Sequence, residues 1–307
     1  MCPSTPTPLV SVIIPAYNAA GFIERAIESA LKQTYQPIEI VVVDDGSTDN
    51  TRKVVEAIDG PIRYFHQENA GPAVARTKAI EESRGEIVAL LDADDEWLPE
   101  RLKKTVEPML ADPEIGLSYC LTYHQYNDGS KNIYGEKSVP AYQPDGVYPP
   151  PYLQTSAATF RRHVFDRCGY FDPQLRNCQD IDLFLRVMDE YEVYRVDAPL
   201  NIYHARTDSH SGAVNPDHAS EMLFRYVCKA LGRAKTPRNR DGAMAVAYSD
   251  IGIRYFDARQ RIRALRYFLV SWLLRPRRRT LLFCMRTLMP SCLNRQAHRL
   301  RHRRAPR

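Results

Sequence analysis

The chain has 307 residues, 44% of them hydrophobic and 26% charged, with a net charge of +5, enough apolar material for one large core and a helical appendage. Its seven cysteines form no CxxC pair, which excludes a zinc ribbon or a dithiol redox motif; their odd number, with no secretory signal at Met1-Cys2-Pro3-Ser4, indicates reduced and mostly buried thiols in a cytosolic compartment. The apolar runs at 268–274 and 281–285 are too short to span a bilayer.

Val10-Ser11-Val12-Ile13-Ile14-Pro15 and Ile38-Glu39-Ile40-Val41-Val42-Val43 are short β-branched runs, and between them Ile23, Ala26, Ile27, Ala30 and Leu31 recur at helical spacing. This pattern predicts two parallel strands joined by a right-handed helical crossover. The second strand runs into Asp44-Asp45-Gly46-Ser47-Thr48-Asp49, where Gly46 permits a tight turn and the polar cluster caps a helix carrying Val54, Val55 and Ile58. Ile62-Arg63-Tyr64-Phe65-His66 reads as a third strand. Asn69-Ala70-Gly71-Pro72 then opens a helix on which Arg76 faces back toward its own start.

A fourth strand, Ile87-Val88-Ala89-Leu90-Leu91, ends in Asp92-Ala93-Asp94-Asp95. Open α/β sheets bind ligands at the carboxyl ends of their strands. Carboxylates packed this closely repel one another unless they surround a hard divalent cation, so a metal-bound anionic substrate is the first inference. The alternative is that Asp94 and Asp95 open the next helix, near Pro99-Glu100. Further on, residues 127–151 are rich in Gly, Pro, Tyr and Asn without periodicity, a long loop of the functional kind. Tyr126, Tyr134, Tyr142, Tyr148 and Tyr152 offer flat rings there, able to stack on a ligand ring or to pack the loop itself. In Cys178-Gln179-Asp180-Ile181-Asp182, the apolar repeat of Ile181, Phe184, Leu185 and Met188 places Asp180 in the first turn of a helix, outside its apolar stripe.

Four stretches, Pro15-Ala16-Tyr17-Asn18, Val43-Asp44-Asp45-Gly46-Ser47-Thr48-Asp49, Asn69-Ala70-Gly71-Pro72-Ala73-Val74-Ala75-Arg76 and Leu91-Asp92-Ala93-Asp94-Asp95, together resemble the ordered landmarks of family 2 glycosyltransferases. The resemblance is strong over about 9–110, fair over 155–212 and poor afterwards. It implies a GT-A fold: an open, mostly parallel central sheet flanked by helices. It also implies an inverting transfer from a nucleotide-diphosphate sugar, UDP being favoured, with Mn²⁺ or Mg²⁺ as cofactor. Pro15, Tyr17, Asp44, Asp45, Arg76 and Asp92 would form the nucleotide-sugar site, Tyr17 stacking on the base, Asp45 reading it, and Arg76 supplying a planar cation. Asp92 and Asp94 look like the DxD element, with Asp94 the direct metal ligand and Asp92 toward the ribose or the metal's waters. The metal would neutralise the leaving diphosphate. Asp180 would be the general base, although the family usually shows Glu-Asp where this chain has Gln179-Asp180; helix capping is the alternative role for Asp180. Ile202-Tyr203-His204-Ala205-Arg206 resembles the closing segment, with Arg206 as a phosphate partner and His204 and His210 of low weight.

The basicity lies at the end of the chain. Residues 275–307 hold eleven Arg and no Asp, Glu or Lys, so the preceding residues are net acidic. Before them Ile262, Leu265, Phe268, Leu269, Trp272 and Leu273 form an apolar helical stripe, with Arg259, Arg263 and Arg266 off it. An amphipathic basic tail suits an anionic inner membrane face, where lipid-linked acceptors are found; a helical hairpin with a solvated Arg-rich end is the alternative. Nothing supports nucleic-acid binding. The expected organisation is a flexible 1–8, a catalytic domain at 9–215 (nucleotide-sugar half 9–110, acceptor half 111–215), a helical region at 216–290 and an Arg-rich tail at 291–307. The expected activity is transfer to a hydroxyl of a glycan or lipid-linked acceptor in cell-surface polysaccharide synthesis, in the cytoplasm or peripherally at the inner membrane face. The rival is a catalytically silent nucleotide-sugar or glycan-binding module on the same fold.

Overall fold

The computed structural model describes residues 7–126, 129–134, 153–175 and 179–204, with parts of 245–288. The chain divides into two units, Met1–Pro144 with Tyr148–Ala213, and Asp145–Val147 with Val214–Arg307.

In the first unit β1 (Val10–Ala16), α1 (Ile23–Leu31), β2 (Ile38–Asp44), α2 (Thr51–Glu56), β3 (Ile62–His66), α3 (Pro72–Glu82) and β4 (Ile87–Leu90) follow in order. Next come β5 (Glu96–Trp97), α4 (Arg101–Ala111), β6 (Ile115–Gln125), β7 (Lys131–Tyr134), a 3-10 turn (Thr155–Ala157), β8 (Ala158–Arg161), α5 (His163–Cys168), α6 (Gln179–Met188) and β9 (Glu192–His204). One sheet joins all the strands in the order β3-β2-β1-β4-β8-β6-β9-β5, with β7 paired to β6. The first four are parallel. Antiparallel strands enter only downstream, where β8 pairs with β4 and β6 while β6 and β9 run parallel.

The parallel strands read as unbroken apolar runs because both faces are covered. Val10, Val12, Ile14, Ile38, Ile40, Val42, Ile87 and Ala89 face Ile23, Ala26 and Ile27 of α1 and Leu102 and Val106 of α4. The intervening Ile13, Val41, Val43, Val88 and Leu90 face Ala75, Ala79 and Ile80 of α3 and Leu183, Phe184 and Val187 of α6. This is the period of two that a strand imposes. Strand order turns at β1, with β2 and β3 on one side and β4 on the other, so the loops after β1, β2 and β4 open on one crevice.

At the opposite, amino end of the same strands the buried Glu39 is satisfied by the Ser11 hydroxyl at 2.7 Å, the Arg84 N–H and the Arg63 guanidinium at 3.5 Å. Burial opposes its charge, but these partners outweigh burial and hold the Glu39 carboxyl below its usual range.

In the second unit α7 (Arg261–Leu274) and α8 (Arg278–Leu288) meet where Phe268 stacks on Phe283, ring centroids 5.0 Å apart. The buried face of α7 is Ala264, Phe268 and Ser271, and Ser271 donates to the Ala245 carbonyl at 2.6 Å. Of the apolar stripe expected on α7, Phe268 is therefore inside, whereas Ile262 is 81% and Leu273 73% exposed.

Candidate active site

The floor of the crevice comes from the ends of β1 and β2. Pro15 is half-buried opposite Val43, and Tyr17, just past β1, is 54% exposed with its ring free to meet a planar ligand. Asn18, at φ +48°, ties the two loops together: its N–H donates to the Ser47 hydroxyl and its side-chain carbonyl accepts the Thr48 N–H, both at 2.8 Å. Asp44 and Asp45 point to different partners. Asp44 accepts the Ser47 N–H at 2.8 Å and the Tyr64 hydroxyl at 2.5 Å; burial and the Asp44 charge raise the Tyr64 phenol above its usual pKa. Asp45 accepts from Gln67 at 2.7 Å and from the backbone N–H groups of Ala70 and Gly71 at 2.9 and 2.8 Å. It thereby anchors the loop that opens α3. Gly46, at φ +81°, lies against that loop, and a Cβ there would sit 2.8 Å from the Asn69 nitrogen, so only glycine fits.

The acidic row after β4 does not open a helix. Asp92 to Asp95 form a turn, closed by the Asp95 N–H on the Asp92 carbonyl at 3.0 Å, and α4 begins only at Arg101 after the intervening β5. Exposure alternates along the row: Asp92 and Asp94 are half-buried while Ala93 and Asp95 are buried. The Arg76 guanidinium is buried behind Asp92, its Nη2 donating to Asp92 Oδ1 at 2.6 Å, and it lies over the Phe171 ring at 5.6 Å. Burial disfavours its charge, yet Asp92 foremost, with Asp180 and Asp94, overrides burial and raises the Arg76 pKa. Arg25 of α1 supports the row from the other side, donating to the Asp94 carbonyl at 2.8 Å and standing 3.9 Å from Glu96. His204 is paired with Glu96 at 3.2 Å; burial and Arg25 lower its pKa.

Asp180 sits in the first turn of α6, half-buried, where Oδ2 accepts the Thr155 hydroxyl at 2.8 Å and Oδ1 the Ile181 N–H at 2.9 Å. In the amide orientation that satisfies both its atoms, Gln179 accepts from Arg76 Nη1 at 2.8 Å and donates to the Leu175 carbonyl at 2.9 Å. Arg76 therefore links the acidic row to the start of α6. The adjoining Ser156 accepts the Asp92 N–H on its hydroxyl at 3.0 Å, and its carbonyl accepts the Trp97 indole N–H at 2.8 Å. Arg101, wholly buried, stacks over Trp97 at 4.0 Å and donates to Thr159 and the Ala158 carbonyl at 2.8 Å; burial lowers its pKa to about 10.

Thr155, Ser156, Trp97 and Arg101 carry no motif that singles them out in the sequence. Arg206 and His210 lie outside the described residues, as do Tyr142, Tyr148 and Tyr152 of the tyrosine loop; Tyr126, at its edge, is 41% exposed.

The acidic row fits a divalent cation. Burial, with Asp92 and Asp94 beside it, pushes the Asp95 carboxyl well above its usual range, and Asp95 Oδ1 is buried with no hydrogen-bond partner. A hard cation would relieve both the repulsion and the orphaned oxygen. Among the described residues no group of three or more His, Cys, Asp or Glu is placed to hold a metal ion, so substrate phosphates and water would have to complete such a site.

A parallel sheet with acidic strand ends around one switch-point crevice defines a nucleotide-sugar transferase fold of the GT-A type, and solved structures of that type superpose on the chain. S. aureus TarS in complex with UDP matches with a TM-score of 0.58 at 20% identity, covering 95% of this chain and 87% of that one. A mannosyltransferase from Pyrobaculum calidifontis in complex with GDP-Man and Mn²⁺ matches with a TM-score of 0.63 at 21% identity, covering 92% and 85%. At these identities the likeness is one of fold. The glycosyl transferase family 2 model matches residues 11–173, and the chain belongs to that family. An uncharacterized glycosyltransferase of Rickettsia typhi is 32% identical over 238 residues, 74% of each chain. The putative teichuronic acid biosynthesis glycosyltransferase TuaG of Bacillus subtilis is 47% identical over 107 residues, 34% of this chain and 42% of its own length.

Proposed function

We propose that the chain is an inverting glycosyltransferase that moves a sugar from a nucleotide-diphosphate sugar, UDP-linked by preference, to a hydroxyl of a glycan or lipid-linked acceptor. The single observation that carries this reading is that the buried Arg76 binds both Asp92 and the residue before Asp180, which brings a donor-type acidic row and a candidate base to one guanidinium. Asp94, with Asp92, would hold Mn²⁺ or Mg²⁺, which when bound neutralises charge on the leaving diphosphate. Tyr17 stacks on the base, Pro15, Asp44 and Asp45 shape the nucleotide floor, and Arg206 meets the phosphates. Asp180 takes the proton from the acceptor hydroxyl as that oxygen attacks the anomeric carbon, and the bond to the nucleotide diphosphate breaks on the opposite face. The proton is taken late, once bond formation has acidified the hydroxyl. The name of the relative TuaG supports synthesis of a cell-surface polymer. UDP in complex with TarS and GDP-Man in complex with the Pyrobaculum enzyme define the nucleotides to compare.

The test is calorimetric titration with UDP, GDP and dTDP, with and without Mn²⁺, on the natural chain, Asp94→Ala and Asp180→Ala. The expected result is one nucleotide that binds only with metal, lost in Asp94→Ala and retained in Asp180→Ala. A chain that binds a nucleotide sugar but never turns it over would be the silent binding module instead, and one that binds no nucleotide under any condition contradicts the donor site.

A further inference from the structure

Three consecutive residues at the entry to β8 touch three different elements. Gln154 contacts His124 of β6 at 2.7 Å, Thr155 donates to Asp180 at 2.8 Å, and Ser156 accepts the Asp92 N–H at 3.0 Å. Their backbone is held firmly, as the one-turn 3-10 helix passes directly into β8 between β4 and β6. The Ser156 carbonyl is also gripped by Trp97 and by Arg101, which lies over the Trp97 ring and donates as well to Thr159 and the Ala158 carbonyl. The contacts close a ring. Asp92 binds Arg76, Arg76 binds Gln179, Gln179 adjoins Asp180, Asp180 binds Thr155, and Ser156 returns to Asp92.

We propose that this turn sets the base against the donor site, with Thr155 the positioning residue for Asp180 and Ser156 that for Asp92. The inference rests on the reading of Asp180 as the base. A carboxylate in the first turn of a helix can rotate between several N–H groups; one hydroxyl from a rigid turn selects the rotamer in which Oδ2 is held by Thr155 while Oδ1, which accepts the Ile181 N–H, keeps a second lone pair for an acceptor proton. Proton transfer requires the base within hydrogen-bond reach of the attacking hydroxyl, so a small displacement costs turnover more than binding. Gln179 contributes from the other side. Its neutral amide adds no further negative charge beside Arg76, whereas a glutamate there would compete with Asp92 for the guanidinium.

The test compares Thr155→Val, Thr155→Ser, Ser156→Ala, Asp180→Ala and the Thr155→Val/Asp180→Ala double variant. Release of nucleotide from UDP-GlcNAc and GDP-Man with Mn²⁺, water serving as acceptor, reads turnover, and calorimetry with UDP and GDP reads binding. Thr155→Val is expected to lose turnover by about 10- to 100-fold at unchanged donor KM. Thr155→Ser should restore most of it, and Thr155→Val should add nothing to Asp180→Ala. Ser156→Ala should instead weaken metal-dependent nucleotide binding, which Thr155→Val leaves intact. Without any ligand, the urea midpoints of Thr155→Val and Asp180→Ala should combine less than additively, because both remove one hydrogen bond. Full additivity, or Thr155→Val with normal turnover beside an inactive Asp180→Ala, overturns the proposal. Turnover surviving in Asp180→Ala overturns the underlying reading of the base, while the urea cycle still decides whether Thr155 holds that carboxylate.

Discussion

Arg76 shows how much one side chain organises here. A buried guanidinium needs its donors satisfied and its charge balanced. Asp92 answers the charge at 2.6 Å, Gln179 takes a second donor, and Phe171 covers the plane. The sequence places Arg76 near the nucleotide; in the structure two of its nitrogens bind Asp92 and Gln179 while its buried Nε has no hydrogen-bond partner, and we propose that it also holds Asp92 in place. Glu39 is the corresponding buried charge at the far end of the sheet. Its carboxyl is depressed in the folded state, so its contribution to stability is complete above the unfolded value of 4.5 and is lost as pH falls below that value through the folded one. Glu39→Gln is therefore expected to lower the urea midpoint at neutral pH, and the gap from the natural chain should narrow on acidification toward and below 4.5. A gap that stays constant with pH would mean that shape, not charge, is what Glu39 supplies.

The elements were legible where periodicity is local. The strand runs after residues 9 and 37 and the helices between them have both faces of the sheet covered, so the apolar pattern is strong and the fold follows it. Downstream the signal weakens. β5 is two residues long and exists only because Glu96 and Trp97 pair with Asn201 and Ile202 of β9, more than a hundred residues away. No local pattern can announce such a strand. Asp94 and Asp95 are good helix formers' caps by type, but β5 intervenes, and α4 starts beyond it. The connection into β4 is a second element-level constraint. Gly85 donates its N–H to the Ser11 hydroxyl at 2.8 Å, and a Cβ there would lie 2.5 Å from the Leu9 carbonyl oxygen and 2.7 Å from the Ser11 nitrogen. Backbone cannot yield as a flexible side chain can. Gly85→Ala should cost about 1–3 kcal/mol in urea unfolding, and a loss below about 0.5 kcal/mol, the scale of ordinary surface substitutions, would show that the α3–β4 connection can shift.

The two units of the molecule differ in what they leave exposed. Among the described residues no helix is long and apolar enough to cross a membrane, yet α7 and α8 present Ile262, Leu269, Leu273, Leu281, Leu282, Met285 and Leu288 to the surface, in a region of the chain rich in arginine. We propose that this surface meets an anionic membrane face, where apolar insertion and attraction to lipid charge would act together. The chain should sediment with vesicles containing anionic lipid, less as salt rises, and Ile262→Ser with Leu273→Ser should weaken that association; equal binding to neutral vesicles, or none, would refute the assignment. By itself the sequence determined the GT-A core and its acidic strand ends, because alternation in strands, helical spacing and turn residues are local chemistry that each segment carries wherever it folds. It also marked Asp180, through a helix start. Only the tertiary structure decided that Asp45 is bound up in the loop before α3, that Arg76 serves Asp92 and Gln179 together, and that Thr155 and Ser156 join Asp180 to the acidic row. Those contacts link residues from 16 to 103 positions apart, and hydroxyls or amides of common types acquire a role only when the sheet brings their partners within 3 Å.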